Sequence, residues 1–430
     1  MERILIKNGR VLDPKNSIDQ ICDLYIDGKN ISRIGVDLSA SVDRVIEAKD
    51  LIVAPGLVDM HVHLREPGFE YKETIATGTR SAVAGGVTTV ACMANTQPTI
   101  DSLDVVEFIR LQAEEYGSAN VFPIGSITKN LDGQLITDWR SLIEAGAVAL
   151  SDDGKTVMDA SIMWNVLVLS AEMNFPVIDH CEEHNLTQGT VMNLGKISQE
   201  LGLPGQPNAA EEIIIARDLL LAEQTGGHIH IAHVSTEGGV DLIRWAKQRR
   251  IRVTAESCPH HFTITDTEVV NHGAKAKIHP PLRTQKDVKA IIQGLAEGII
   301  DTIVTDHAPH APFEKSRGMK EAPAGIIGLE TSVPLVLTQL VDTGKLKLND
   351  AIAKMTHIPS EILGIDRGTL SVGAVADVTL IDPKKLQVVD SAQFESKSRN
   401  TPFDGWKLKG WPVMTIRDGK IMMSKIESNR

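Results

Sequence analysis

The chain has 430 residues, 42% hydrophobic and 23% charged, with a net charge of −12; this is ordinary globular composition, and without a block of Lys and Arg it lacks the footprint of a nucleic-acid partner. No run of about 18 apolar residues occurs, so no membrane span is expected, and residues 1–10 hold no apolar stretch of signal-peptide length. The four cysteines, Cys22, Cys92, Cys181 and Cys258, form no CxxC pair and read as reduced thiols of a cytoplasmic protein.

Residues 1–54 read as β structure. Strand-like runs at 4–6, 23–26 and 44–47 are broken by Asn8-Gly9 and Asp27-Gly28, both hairpin signals. From 55 to 370 the rhythm changes. Eight apolar, β-branched runs lie at 57–63, 87–94, 120–126, 147–153, 176–182, 228–235, 252–258 and 302–307. Helix-patterned segments separate most of them, at 71–84, 103–115, 160–173, 209–224, 238–249 and 286–297. Eight alternations in this length predict a (β/α)8 TIM-type barrel, an α/β fold. The chain then returns to β structure at 376–381 and 413–422, with a turn at Asp418-Gly419. The two ends, 1–54 and 371–430, are expected to build one small β-sandwich domain beside the 55–370 barrel.

Several of the eight runs end in metal-capable or acidic residues: His61 and His63, Asp152 and Asp153, His180, His233, and Asp306. Parallel barrel strands gather their carboxyl ends at one face, so these side chains are expected to converge. His61 and His63 are two apart and share a strand face, where both imidazoles can grip one ion; taken alone, a structural histidine pair is an equal reading. Imidazoles suit zinc, and a carboxylate can bridge two cations. Two ions about 4 Å apart can share a water and activate it for attack on an amide carbonyl.

Here the motifs carry a resemblance. His61-Val-His63-Leu-Arg65-Glu66-Pro67-Gly68 and Thr305-Asp306-His307-Ala308-Pro309-His310 resemble the signatures of the bacterial class I dihydroorotases, of the amidohydrolase superfamily. Asn95-Thr96, Ser151-Asp152-Asp153-Gly154, His180-Cys181-Glu182-Glu183, Pro280-Pro281-Leu282-Arg283 and Gly328-Leu329-Glu330-Thr331 lie between or beyond them in family order, over nearly the whole chain. The resemblance implies a two-metal, hydroxide-bridged hydrolysis of a cyclic amide. That is the reversible cyclisation of N-carbamoyl-L-aspartate to (S)-dihydroorotate in pyrimidine biosynthesis. It further implies that His61, His63 and Asp306 bind a first Zn2+, that His180 and His233 bind a second, and that Asp153 bridges both. Asp306 would also carry the proton. Arg65 and Asn95 would hold the substrate carboxylate, and His63, His279, His310, Ala324 and Gly325 would complete the substrate contacts. A homodimer and an association with aspartate carbamoyltransferase belong to the same expectation. Two positions depart from the family: His279 stands where Asn is usual, which bears on the ring contacts, and Ala94 precedes Asn95 where Pro is common. A hydantoinase or allantoinase is the alternative enzyme, disfavoured by Arg65 because those substrates lack the ring carboxylate. An inactive scaffold is the alternative of another class, disfavoured by the complete ligand set.

The remaining histidines carry plainer readings. Strand alternation sets His228 and His230 opposite His233 as structural residues. His260 and His261 are expected to be satisfied loop histidines. His307 is expected to orient a neighbour by hydrogen bonding, Asp152 to support Asp153, and Cys181 and Cys258 to pack as small hydrophobes. The polar stretch 314–324 reads equally as a solvated loop or as a lid.

Overall fold

Thr74, Asp159, Thr236 and Thr284 each precede an amphipathic segment, and in the computed structural model, which describes residues 2–426, each begins a helix. The Thr74, Asp159 and Thr236 side chains accept from the amides of Thr77, Ser161 and Gly239, groups that a helix start leaves without partners. At Thr284 the Asp287 carboxylate reaches back to the backbone N–H instead. The helices Ile75–Ala84, Leu103–Tyr116, Ala160–Met173, Ala209–Thr225, Glu237–Gln248 and Gln285–Ala296 lie close to the bounds read from periodicity. Among the described residues no helix is long and apolar enough to cross a membrane.

Strands β1 (Arg3–Asp13), β2 (Ile18–Asp27), β3 (Asn30–Gly35), β4 (Arg44–Glu47) and β5 (Ile52–Pro55) come first. After Gly56 the chain enters the barrel with β6 (Leu57–Val62), β7 (Val87–Cys92), β8 (Asn120–Pro123) and β9 (Pro176–Asp179). A long connection carries the short pair β10 (Met192–Asn193) and β11 (Gly205–Gln206). The barrel resumes with β12 (His228–Ile231), β13 (Val253–Ser257) and β14 (Thr302–Ile303). All these barrel pairings are parallel, and a parallel bridge between Val62 and His307 closes the ring. The expected fourth strand, 147–153, is shorter than expected: Val148, Ala149 and Ser151 hydrogen-bond to Pro123 and Gly125 on one side, and only Leu150 forms ladder bridges, to Gly125 and Val177. Its polar end does other work, since the Asp152 carboxylate accepts the amides of Ile127 and Thr128.

The barrel strands other than the half-buried β8 are buried on both faces. Met60, Ala91, Ile124, Ile178 and Val304 fill the interior, while residues such as Val62, Val90, Ile229 and Ile303 pack outward under the helices. Beyond the barrel follow β15 (Val378–Val388), β16 (Lys407–Arg417) and β17 (Lys420–Ser424). They join the first strands in one mixed sheet, ordered β17-β16-β15-β5-β1-β2-β3 with β4 against β1. This sheet encloses its own core of Ile6, Leu24, Val53, Leu380 and Ile416. Asp27-Gly28 and Asp418-Gly419 form the expected turns. Asn8-Gly9 does not: it lies inside β1 as a register shift, with Asn8 at φ 61°. A Cβ at Gly9 would meet Val53 Cγ2 at 2.4 Å, so the glycine serves the close approach of β5 rather than a chain reversal.

Candidate metal centre

The carboxyl end of β6 presents His61, with His63 one residue beyond it. Asp59 on the same strand fixes that end: its carboxylate accepts the His61 amide at 3.1 Å and the Thr305 hydroxyl at 2.6 Å. Strand β6 is thereby tied to the segment bearing Asp306. His233 and Asp306 have positive φ (31° and 46°), as does Arg65 (64°). Such backbone is costly for residues with a Cβ, and surrounding structure must hold it in place.

Six side chains meet at this face. His63 Nε2 is 2.9 Å from Asp306 Oδ1, and His61 Nε2 is 3.6 Å from both Asp306 Oδ1 and Asp153 Oδ2. On the other side of Asp153, Oδ1 lies 3.4 Å from His180 Nδ1 and 3.3 Å from His233 Nε2. The two oxygens of one carboxylate thus address two different groups of ligands. Within this constellation His61, His63 and Asp306 form one set of donors close enough to hold a cation, and His61, Asp153 and His233 form a second.

Charge is concentrated here. Burial alone would strip the proton from His61, but Glu256 and Asp153 outweigh it and hold its imidazolium well above the ordinary value. His180 is likewise raised against burial, to about 10, by Asp153 and Glu182. Asp153 and Asp306 are held down, against burial, by the surrounding imidazoles. A divalent cation would replace those imidazole protons. The donor set fits one: His61 Nε2 is fully buried among carboxylates yet has no hydrogen-bond partner among the described residues, the state of a nitrogen whose lone pair is reserved for an ion.

Outside this constellation a pocket of about 450 Å³ opens, lined among others by Arg65, Asn95, His279, His310, Ala324 and Gly325. The expected metal-binding and substrate-binding residues all line it except His61. Arg65 is buried; its Nε donates to the Pro309 carbonyl at 3.2 Å, and among the described residues it forms no ion pair. Burial lowers its guanidinium to about 10. Asn95 Oδ1 accepts from His63 Nδ1 at 2.9 Å, which turns His63 Nε2 toward Asp306. His310 Nε2 reaches the Ala324 carbonyl at 2.7 Å, and the Gly325 amide donates to the Lys277 carbonyl at 2.9 Å. His279 Nδ1 lies 3.7 Å from Glu182 Oε2 without a hydrogen bond, and burial lowers its imidazole to about 4.

The plainer readings fare unevenly. His230 bonds Thr254 and Glu256, His228 bonds Thr254, and His307 Nε2 lies 3.5 Å from Glu73. His260 and His261 are a correction. They sit buried in a short helix, Pro259–Thr263, and among the described residues His260 Nε2 and both ring nitrogens of His261 have no hydrogen-bond partner. Burial holds both uncharged, helped for His261 by the neighbouring His260, His233 and Arg283. Two carboxylates beside the candidate ligands are not singled out by the sequence reading. Glu256 lies under His61 on β13, and Glu182 touches His180 Nε2 at 3.3 Å. An acidic residue inside an otherwise apolar strand was the available signal for Glu256.

A closed parallel barrel with an imidazole–carboxylate constellation at its carboxyl face defines the metal-dependent amidohydrolases. Comparison with solved structures agrees. L-hydantoinase (dihydropyrimidinase) from Arthrobacter aurescens superposes with a TM-score of 0.90 at 28% identity, covering 100% of this chain and 98% of that one. D-hydantoinase from Thermus sp. gives 0.85 at 26%, covering 98% and 95%. A family described as dihydro-orotase-like matches residues 50–238. The dihydroorotase of Pelotomaculum thermopropionicum is 50% identical over 98% of both chains, and that of Syntrophus aciditrophicus 47% identical over 98% of this chain and 99% of its own. The chain belongs to the dihydroorotase family and is a cyclic amide hydrolase.

Proposed function

We propose that the enzyme interconverts N-carbamoyl-L-aspartate and (S)-dihydroorotate with two zinc ions, held by His61, His63 and Asp306 on one side and by His180 and His233 on the other, with Asp153 between. The observation that carries the substrate is Arg65. A buried guanidinium without a carboxylate partner, facing a small pocket, is costly unless a ligand supplies the anion. The dihydroorotate carboxylate does so; a hydantoin or allantoin ring does not.

Two bound divalent ions would acidify water and polarise the ring amide carbonyl. The chain's own residues do the rest. Arg65, with Asn95 beside it, anchors the substrate carboxylate through a planar fork and sets the ring's orientation. Asp306, kept ionised by His63 and His61, accepts the proton of the attacking water and hands it to the ring nitrogen. In cyclisation it makes the same transfer in reverse. His310, the backbone at Ala324 and Gly325, and His279, which lies 3.7 Å from Glu182, line the pocket around the ring. Metal analysis together with turnover of dihydroorotate and of hydantoin, on protein purified without chelator, tests this. About two zinc ions per chain and selective opening of dihydroorotate are expected; hydantoin opened as fast would overturn the substrate. The resemblance also carries a homodimer and an association with aspartate carbamoyltransferase, which sedimentation with and without that enzyme tests.

A further inference from the structure

The segment after His310 is tied down at two neighbouring residues. Glu314 receives Lys72 at 3.1 Å and the Tyr71 hydroxyl at 3.2 Å, both from the loop that follows Arg65. Lys315 turns inward and is buried. Its Nζ donates to three backbone carbonyls: Pro323 at 2.9 Å, Gly325 at 3.0 Å and Lys277 at 3.3 Å. It forms no ion pair among the described residues. Burial and the nearby Lys277 push its ammonium down to about 7, as befits a cation solvated only by carbonyls.

Of these three residues Gly325 lines the pocket, and Pro323 and Lys277 directly precede Ala324 and Ile278, which line it too. Gly325 sits at φ 146°, where a Cβ would lie 2.7 Å from the Ala308 oxygen and 2.9 Å from His310 Cδ2. This backbone therefore presses against the segment that carries His310. The Gly325 amide and Lys315 Nζ share the Lys277 carbonyl, and Asn400 Nδ2 holds the Gly325 carbonyl from the other side at 3.0 Å. Three acceptors converging on one point match the three N–H groups of an ammonium; no other side chain offers that number from one atom. Removing the donors would leave the Pro323 carbonyl unpaired, would leave the Lys277 and Gly325 carbonyls only the Gly325 amide and Asn400 Nδ2, and would free the 316–325 stretch to move.

We infer that Lys315 is a positioning residue for the reaction: its ammonium gathers the Pro323, Gly325 and Lys277 carbonyls and so sets the backbone wall against which the substrate ring rests. The stretch 314–324 is then a fixed strap rather than a solvated loop. The inference rests on the dihydroorotase reading for its kinetic consequence, but not for its structural one.

Lys315→Met keeps the side-chain length and removes every donor. Hydrogen exchange over 316–327 is expected to quicken at least tenfold. KM for dihydroorotate should rise at least tenfold, with kcat within threefold of wild type and metal content unchanged. Exchange and KM both within twofold of wild type would overturn the inference. So would loss of metal with exchange quickened across the whole barrel, which would make Lys315 a general stability residue. If Lys315→Met does not accumulate folded, Lys315→Gln, with two donors left, is read by the same criteria. A wild-type enzyme that leaves dihydroorotate untouched would overturn the functional reading, while the exchange comparison still decides the role of Lys315.

Discussion

His61 Nδ1 lies 2.5 Å from one oxygen of Glu256, and the other oxygen of that carboxylate takes His230 Nε2 at 3.1 Å. One buried anion thus fixes the tautomer and the ring angle of a candidate metal ligand from behind, and leans on a second histidine to hold itself in place. Glu256→Gln keeps the shape and removes the charge. Metal affinity should fall about 10- to 100-fold, read by competition with a chelator. Unchanged affinity would show that His61 is oriented by packing alone.

Arg65→Met removes a buried cation that lines the pocket and forms no ion pair among the described residues. Substrate binding should weaken by roughly 2–4 kcal/mol, about thirtyfold or more in KM, with metal content unchanged. Steady-state kinetics on dihydroorotate within about threefold of wild type would place the substrate carboxylate elsewhere.

Asp306→Asn preserves size and one oxygen donor but cannot take a proton. Turnover should drop by at least about 10² in both directions, while metal is largely retained by the other five ligands. Metal and activity are measured on the same preparation. Full turnover would exclude Asp306 as proton carrier; lost turnover with empty sites would reduce it to a ligand.

His228 supplies a pH prediction away from the metal ligands. Burial, with His230 and Arg252 nearby, holds its imidazole at about 3, below the ordinary 6.5, while Nε2 bonds the Thr254 hydroxyl at 2.8 Å. The folded state keeps it neutral, whereas the unfolded chain binds a proton near 6.5. Its contribution is therefore complete above pH 6.5 and is lost as pH falls from 6.5 toward 3, by about 2 kcal/mol at pH 5. Urea denaturation at pH 7.5 and pH 5 should show a smaller loss in His228→Gln than in wild type, by that amount. Equal losses would mean that His228 is already charged in the fold.

The candidate ligands were legible because strand geometry writes them locally. His61 and His63 are two apart, and Asp153, His180, His233 and Asp306 each stand where an apolar run stops. Glu256 was not, because its role depends on β13 lying beside β12 and near β6, a relation between strands distant in sequence. Lys315 was read as part of a polar surface stretch, since three backbone carbonyls leave no mark in a sequence. Asn8-Gly9 shows the converse: the residues report left-handed backbone correctly, but a bulge and a hairpin ask for the same conformation.

The sheet built from both ends of the chain also governs when the molecule can be finished. Strand β5 pairs antiparallel with β15, Ala54 opposite Thr379, across roughly 325 residues. Closing so long a loop adds little to the entropic cost at equilibrium, which grows only logarithmically, but contacts of such separation form late. On the ribosome, Ile52–Pro55, wholly buried in the finished protein, stands as an open apolar edge until the entire barrel has been synthesised. That edge is where a nascent chain of this fold is most exposed to wrong partners, and where a folding assistant has most to shield.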